Sequence, residues 1–168
     1  PYNNYTGLAI SEDGGSNFKK FSKGPILDRT KTEIYSSTSP FVFYDGIWHM
    51  WYCSGIKWIL IEGKYEHTYD IRYAYSNDGI EWTRTNYNII NQRNKFEAIT
   101  RPSIIKHNKK YHMWYCYRGS KNFRSDIKNS YKIGYANSKD LVSWERNDHK
   151  VGIALSKSGW DSKMIAYP

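Results

Sequence analysis

The chain has 168 residues, enough for one domain with a substantial hydrophobic core. It carries 25 Lys and Arg against 16 Asp and Glu, for a formal net charge of +9. The basic residues are scattered and no nucleic-acid-binding motif accompanies them, so we expect a solvated basic surface and no nucleic-acid partner. No run reaches the roughly 18–20 apolar residues that span a bilayer, so we expect no membrane partner.

The predicted elements are all strands. Residues 5–22 are expected to hold two short strands. The next four predicted strands are SPFVFYD (39–45), IWHMWYC (47–53), YDIRYAYS (69–76) and EWTRT (81–85). Another four follow, RPSIIKH (101–107), YHMWYCY (111–117), YKIGYANS (131–138) and SWER (143–146), and KMIAYP (163–168) resembles the start of a further set. Turn residues separate the strands, and no segment of helical length shows a 3.6-residue period, which predicts an all-β fold.

The sequence repeats itself. HMWYC occurs at 49–53 and at 112–116, and IRYAYSNDGIEW (71–82) is matched by IGYANSKDLVSW (133–144). Repeats of four antiparallel strands are typical of β-propeller blades. We therefore predict one partial propeller domain over 1–168, with the end of a blade at 1–32, full blades at 33–94 and 95–157, and the start of another at 158–168.

The predicted blades leave sheet edges open, because a propeller protects its edges by closing its ring. We expect the chain to belong to a longer propeller, with self-association through the open edges as the alternative. Two copies would supply 22 predicted strands, whereas a five-bladed ring of four-stranded blades needs about 20, so closure by simple dimerisation fits poorly.

Cys53 and Cys116 occupy equivalent places in the two full repeats. Equivalent positions of neighbouring units are generally farther apart than the roughly 5.5–6 Å between Cα atoms that a disulfide requires. We therefore expect two buried free thiols and a reducing, cytoplasmic location. The sequon Asn4-Tyr5-Thr6 is the one signal for export.

Each repeat has a strand led by Pro, then (Y/W)HMWY, then I-x-Y-A-x-S-x-D with a later Trp. This pattern resembles the five-bladed propellers of the glycoside hydrolase family 43 superfamily. That superfamily includes families 32, 62, 68 and 130. The stretch 101–168 also resembles uncharacterised glycosidase-like proteins and a propeller domain that precedes some glycosyltransferases. A rival resemblance is to the sialidase Asp-box, carried by Ser11–Phe18. In either family the box is expected to be structural, with its Asp binding turn amides.

The resemblance implies catalytic carboxylates near the Pro that opens each innermost strand. An inverting glycosidase needs two of them, roughly 6.5–9.5 Å apart. The residues before the prolines are Ser39, Arg101 and Tyr167, and none of these is acidic, which departs from the family pattern. Glu97 lies five residues before Pro102, and Glu33 and Asp161 each lie seven residues before a Pro. Glu97 and Asp161 are the catalytic candidates. By strand periodicity Arg101 is expected on the same face as Glu97, holding it as an anion.

Differences between otherwise similar repeats point to substrate contacts. We expect Asp70, Arg72, Arg101 and Arg118 to bind substrate, and Trp160 and Tyr167 to provide stacking surfaces. His49 and His112 recur identically, which favours hydrogen bonds that cap a neighbouring blade, with substrate binding as the alternative. The His and Cys residues form no metal-ligand motif, and we expect neither a metal nor a cofactor.

The sequence thus predicts a glycosidase-like propeller that acts on a carbohydrate at its central funnel. Two alternatives stay open. One is a sugar-binding or scaffold domain without catalysis, consistent with the missing carboxylates. The other is a surface that binds polyanions through the +9 charge.

Overall fold

The structure is a computed structural model that describes residues 3–85 and 88–168. Within these residues the regular secondary structure is almost entirely antiparallel β-strand, which confirms the predicted all-β fold class. The strands are β1 (Ala9–Ile10), β2 (Lys19–Lys20), β3 (Ser37–Tyr44), β4 (Trp48–Ile61), β5 (Lys64–Ser76), β6 (Thr83–Arg84), β7 (Ala98–His107), β8 (Lys110–Arg118), β9 (Lys132–Ser138) and β10 (Trp144–Arg146). A single 3₁₀ turn at Asp148–Lys150 follows the last strand.

The strands form two four-stranded sheets, ordered β3-β4-β5-β6 and β7-β8-β9-β10, and one two-stranded pair, β1-β2. All neighbours are antiparallel. Strand β7 packs against β3, β4 and β5 of the preceding sheet. The first strands of the two sheets, β3 and β7, are therefore neighbours in space, as innermost strands of adjacent blades are. The predicted unit bounds 1–32 and 33–94 include residues 1, 2, 86 and 87, which lie outside the described residues.

The hairpin between β4 and β5 is much longer than the sequence pattern predicted. Strand β4 continues past Cys53 to Ile61, and β5 begins at Lys64. The turn between them places Glu62 and Gly63 at φ of 50° and 78°, the paired positive values of a type I′ hairpin turn. We call residues 54–68 the hairpin extension.

The turns at 76–82 and 138–144, after β5 and β9, each form a variant of the Asp-box with the structural role expected of such a box. Asp78 Oδ1 accepts hydrogen bonds from the amides of Ile80 and Glu81 at 2.8 and 2.9 Å. In the second sheet Asp140 does the same for Val142 and Ser143 at 3.0 and 2.7 Å. Leu141 stands where the first box has Gly79, and it adopts the same left-handed backbone, with φ of 68° against 76°.

Two hydrophobic clusters hold the sheets together. The larger one fills the space between the two sheets and includes Trp51, Ile71, Ile99, Met113 and Tyr115. The smaller one lies on the opposite face of the first sheet, where Met50, Tyr52 and Ala74 pack with Leu27. The alternating faces of β4 therefore serve two different cores, as expected for a sheet covered on both sides.

The predicted strand at the start of a further blade is not formed, because residues 158–168 contain no regular strand. The amide of Ile165 nevertheless donates to the carbonyl of Tyr131 at 3.1 Å, so the segment lies beside the second sheet. Among the described residues, we find no helix with the length and apolar character to cross a bilayer.

Candidate functional site

The three residues before the prolines of successive repeats share an unusual backbone. Ser39, Arg101 and Tyr167 have φ of 51°, 55° and 66°. A residue before proline normally adopts an extended conformation, and a non-glycine residue at positive φ is strained. In β3 and β7 this coincides with a break in strand register, between Thr38 and Phe41 and between Thr100 and Ser103. The recurrence shows that the geometry belongs to the repeat.

These three residues line one cavity, of about 180 Å³, which we call the inner cavity. Its lining combines hydroxyl, amide, imidazole and aromatic groups with one guanidinium. The lining residues are Asn4, Ser36, Thr38, Ser39, Cys53, His67, Tyr69, Thr100, Arg101, Tyr131 and Tyr167. None of them is Asp or Glu, so the inner cavity carries no carboxylate from the described residues.

The Arg101 guanidinium lies over the ring of Tyr167, 4.7 Å from its centroid. This cation–π contact holds together two predicted substrate-binding residues from different repeats. Both side chains are exposed, and both border the inner cavity. The structure thus brings Arg101 and Tyr167 together at one cavity.

Cys53 and Cys116 are buried free thiols, as predicted. Burial raises the pKa of Cys53 to about 11, and hydrogen bonds with Thr100 and Thr38 oppose that shift. Burial also raises the pKa of Cys116, whose sulfur accepts a hydrogen bond from the Tyr167 amide at 2.9 Å. Thiols held in the protonated form are poor nucleophiles, which argues against a catalytic cysteine here.

Glu97 lies away from the inner cavity. It is buried and forms a bidentate ion pair with Arg146 of β10, with Nη1–Oε2 and Nη2–Oε1 distances of 2.8 and 2.9 Å. The expected contact with Arg101 is not formed, because the positive φ at Arg101 interrupts the two-residue alternation on which the expectation depended. A catalytic role for Glu97 remains a prediction.

Asp161 and Trp160 also lie outside the lining of the inner cavity. Asp161 Oδ2 accepts a hydrogen bond from Ser156 Oγ at 2.7 Å. Trp160 is 95% exposed, so its ring is available to solvent rather than facing the cavity. The structure therefore does not assemble Glu97, Asp161 and Trp160 with Arg101 into one constellation.

His49 and His112 have the same surroundings in the two sheets. His49 Nδ1 lies 2.6 Å from the hydroxyl of Tyr73, and His112 Nδ1 lies 2.5 Å from that of Tyr135. Both bonds connect neighbouring strands of one sheet, so the expected cap on a neighbouring blade is wrong. Neither histidine borders the inner cavity, and the repeated geometry favours a structural role.

Asp70 and Arg72 form a pair on β5, with Arg72 Nε 2.8 Å from Asp70 Oδ1. Asp70 is fully buried, and its Oδ2 has no hydrogen-bond partner among the described residues. Desolvation raises the pKa of Asp70, and Arg72 opposes the shift. The pair lies on the strand face opposite Ile71 and Tyr73 and does not line the inner cavity.

The second sheet replaces Arg72 with Gly134 for a steric reason. A Cβ at Gly134 would stand 2.5 Å from the Tyr115 ring and 2.6 Å from Asp148 Oδ1. The glycine thus makes room for Asp148, which accepts a hydrogen bond from the Tyr115 hydroxyl at 2.6 Å and pairs with Arg146 at 2.8 Å. This difference between the repeats reflects packing and carries no sign of substrate binding.

Arg118, the remaining predicted contact, is only 3% exposed and lies beside the inner cavity. Its Nε donates to the hydroxyl of Tyr69 at 3.0 Å and to that of Tyr131 at 3.3 Å. Both tyrosines line the inner cavity, and neither was among the candidates predicted from the sequence. Their common position at the beginning of equivalent strands, offset by 62 residues, was the signal available in the sequence.

No group of three or more His, Cys, Asp or Glu side chains in the described part of the chain is arranged to hold a metal ion. The chemistry that the inner cavity offers therefore comes from hydroxyl, amide, imidazole and aromatic groups and the Arg101 guanidinium. Such a lining can orient a polyhydroxylated ligand through hydrogen bonds and ring stacking.

No protein-family model matches the sequence. Two curated proteins of Mycobacterium tuberculosis, "Uncharacterized protein MT1551" of strain CDC 1551 / Oshkosh and "Uncharacterized protein Rv1502" of strain ATCC 25618 / H37Rv, are each 35% identical over 170 residues. Each alignment covers 100% of this chain and 53% of the relative. The chain therefore spans about half the length of the curated relatives it matches.

Solved structures show the same fold. A structure named "Glycoside hydrolase" matches with a TM-score of 0.74 and 20% identity, covering 95% of this chain and 47% of that one. A thermostable family-43 glycoside hydrolase matches at 0.66 and 22%, covering 89% and 47%. The sucrose-6-phosphate hydrolase of Lactobacillus gasseri matches at 0.57 and 16%, covering 77% and 25%. The chain shares its fold with these hydrolases, and at these identities the likeness concerns the fold alone.

Proposed function

We propose that this chain is part of a carbohydrate-binding propeller of the glycosidase type and that the inner cavity holds a sugar. The observation that carries the proposal is the convergence of Ser39, Arg101 and Tyr167, the residues before proline in three successive repeats, on one polar and aromatic cavity. Strained backbone persists only where the surrounding structure maintains it, and it concentrates at binding and catalytic sites.

The composition of the cavity supports sugar binding over hydrolysis by these residues. A glycosidase of either stereochemical class requires two carboxyl groups beside the scissile bond. The inner cavity has none from the described residues, and Glu97 is committed to its bidentate pair with Arg146. We therefore assign this chain the role of holding and orienting a glycan.

Hydrolysis by the whole protein is the second candidate, and the fold shared with glycoside hydrolases favours it. In that case carboxylates from other parts of the polypeptide would complete the site. We further propose that the repeats belong to a ring with at least one further blade, of five blades in all as the resemblance implies. Tyr167-Pro168 matches the residue-proline pair Arg101-Pro102, and Tyr167 repeats the positive φ of Arg101.

Saturation-transfer NMR with a panel of methyl glycosides and short oligosaccharides tests this proposal on the 168-residue chain. We expect at least one glycan to bind, and Arg101→Gln to weaken its affinity by about ten-fold through loss of a charged hydrogen-bond donor. Lys139→Gln removes the same charge from an exposed position outside the cavity and should leave affinity unchanged. Absence of binding across the panel, or equal affinity of the two variants, would contradict the proposal.

A further inference from the structure

A second cavity, of about 300 Å³, opens beside the inner cavity. It lies between the hairpin extension of the first sheet and residues 119–131 of the second. We call it the hairpin groove. Trp58, Tyr65, Tyr69, Phe123 and Tyr131 supply aromatic walls. Because His67, Tyr69 and Tyr131 line both cavities, a ligand in one is adjacent to the other.

The connections that form the hairpin groove occupy equivalent places in the two repeats but fold differently. In the first sheet β4 and β5 continue as a regular hairpin, whereas in the second β8 ends at Arg118 and β9 begins at Lys132. Arg124 Nη1 lies 2.9 Å from Glu66 Oε1, and Lys121 pairs with Glu62 at 2.6 Å, so the two connections are tied across the groove. The β4–β5 and β8–β9 connections therefore do not serve a structural role that is common to both repeats.

Arg118 places an uncompensated positive charge at the base of the groove. Its guanidinium bonds only to neutral acceptors among the described residues: the hydroxyls of Tyr69, Tyr131 and Ser120 and the carbonyls of Gly119 and His67. The Phe123 ring also covers it, 3.9 Å from its centroid. Burying a cation without an anionic partner is costly, so the groove favours a ligand that brings a negative charge.

The two tyrosine hydroxyls provide a donor for that ligand. Tyr69 and Tyr131 form a hydrogen bond between their hydroxyl oxygens, and Arg118 Nε donates to both oxygens. One hydroxyl proton is used within the pair, and the described residues offer the other no acceptor. Since both tyrosines line the two cavities, this proton is available to an acceptor atom of a ligand.

We propose that the hairpin groove binds the anionic group of an acidic sugar whose ring lies in the inner cavity; this inference rests on the sugar-binding function proposed above. The anionic oxygens accept a hydrogen bond from the free hydroxyl proton of the Tyr69–Tyr131 pair, and their negative charge compensates that of Arg118. A carboxylate of a uronic acid and a sulfate ester share this chemistry. Exposed Tyr65, at 68% relative exposure, provides a stacking surface at the rim of the groove.

Calorimetric titration of the 168-residue chain with methyl glucuronide, methyl glucoside and a sulfate ester of methyl glucoside tests the inference. We expect an anionic glycoside to bind at least ~10-fold more tightly than the neutral one. Tyr131→Phe and Tyr69→Phe should each remove most of that preference, while keeping the rings that pack in the fold. Tyr135→Phe is the matched control, because its hydroxyl bonds to His112 away from both cavities.

The outcomes separate the two proposals. The inference is supported if the chain prefers the glucuronide or the sulfate ester and this preference is lost in Tyr131→Phe but kept in Tyr135→Phe. The preferred ligand then identifies the anionic group that the groove binds. Equal binding of neutral and anionic glycosides, unchanged by Tyr131→Phe, overturns the inference and leaves sugar binding intact. Failure of the unmodified chain to bind any glycan of the wider panel overturns the sugar-binding function and this inference with it.

Discussion

Glu97 and Arg146 form a buried bidentate ion pair. In the preceding repeat Glu33 and Arg84 form a looser counterpart, with one contact of 3.4 Å between Oε1 and Nη1. Each arginine also lies over a tyrosine ring, Arg146 over Tyr115 at 5.6 Å and Arg84 over Tyr52 at 5.7 Å from the centroid. In each repeat, a carboxylate preceding the innermost strand is thus joined to the outermost strand of the same sheet. Because the arrangement recurs, its primary role is to hold the blade together.

Replacing Glu97 with Gln should therefore lower the stability of the fold without changing ligand binding. Removing Glu97 takes away two charged hydrogen bonds and leaves Arg146 with Asp148 as its one carboxylate partner among the described residues. We expect the free energy of unfolding to fall by about 2–3 kcal/mol in urea titrations. Glycan affinity of the folded variant should be unchanged. Unaltered stability together with lost binding or turnover would instead assign Glu97 to the ligand site.

The strained residues before the prolines can be tested at Ser39, whose side chain makes no hydrogen bond among the described contacts. A β-branched residue fits a positive φ poorly, so Ser39→Val should lower the free energy of unfolding by about 1–2 kcal/mol. Ser39→Gly, which accommodates the same backbone, should be neutral or slightly stabilising. Thermal unfolding of the pair measures the difference, and equal melting temperatures would contradict the assigned backbone geometry.

Gly134 should resist even the smallest substitution. Gly134→Ala places a methyl group against the Tyr115 ring and the Asp148 carboxylate, and we expect a loss of about 1–3 kcal/mol in denaturant unfolding. Gly7→Ala is the control, because a Cβ there meets no atom within 4 Å. If both substitutions change stability equally, the close packing around Gly134 is not as described.

Stability should decline as the pH falls below neutrality. Desolvation lowers the pKa of His49, opposed by Asp45, and lowers that of His67, where Arg118 adds to the shift. Unfolded imidazole takes up a proton near pH 6.5, whereas these folded side chains do so only at lower pH. Below about pH 6.5 the unfolded state therefore binds more protons, and the free energy of unfolding decreases.

Urea titrations at intervals between about pH 7.5 and 5.5 measure this slope. His67→Gln should reduce the slope, because it removes one of the two desolvated imidazoles. Stability that is constant over this range, or that rises as the pH falls, would contradict the burial of these two histidines in their neutral form.

The repeat pattern predicted the strands and their order, because alternation and turn residues are local signals. It identified Arg101 and Tyr167 as equivalent residues before proline, but it did not predict their contact. It did not reveal the ion pair of Glu97 with Arg146, which joins residues 49 positions apart. Nor did it reveal the left-handed backbone of Arg101, since residues before proline are ordinarily extended.

The hairpin extension was the main missed element. Residues 56–61 combine apolar and aromatic side chains ahead of Glu62-Gly63, which is a hairpin signal, but the matching stretch of the second repeat contains no such pattern. The strand bounds predicted for the two repeats were matched to each other, so the hairpin extension was not predicted. Tyr69 and Tyr131 were missed for a related reason. They are identical residues at equivalent positions, whereas most substrate contacts were predicted at positions where the repeats differ.

Occupation of the inner cavity by a sugar is best tested by mapping backbone amide shifts on ¹⁵N-labelled chain titrated with a bound glycan. We predict that the largest changes fall at Ser39, Thr100, Arg101, Tyr131 and Tyr167, which come from successive repeats and line the cavity. Changes confined to the outer apolar surface around Val42 and Trp48, with these five amides unmoved, would contradict a sugar site in the inner cavity.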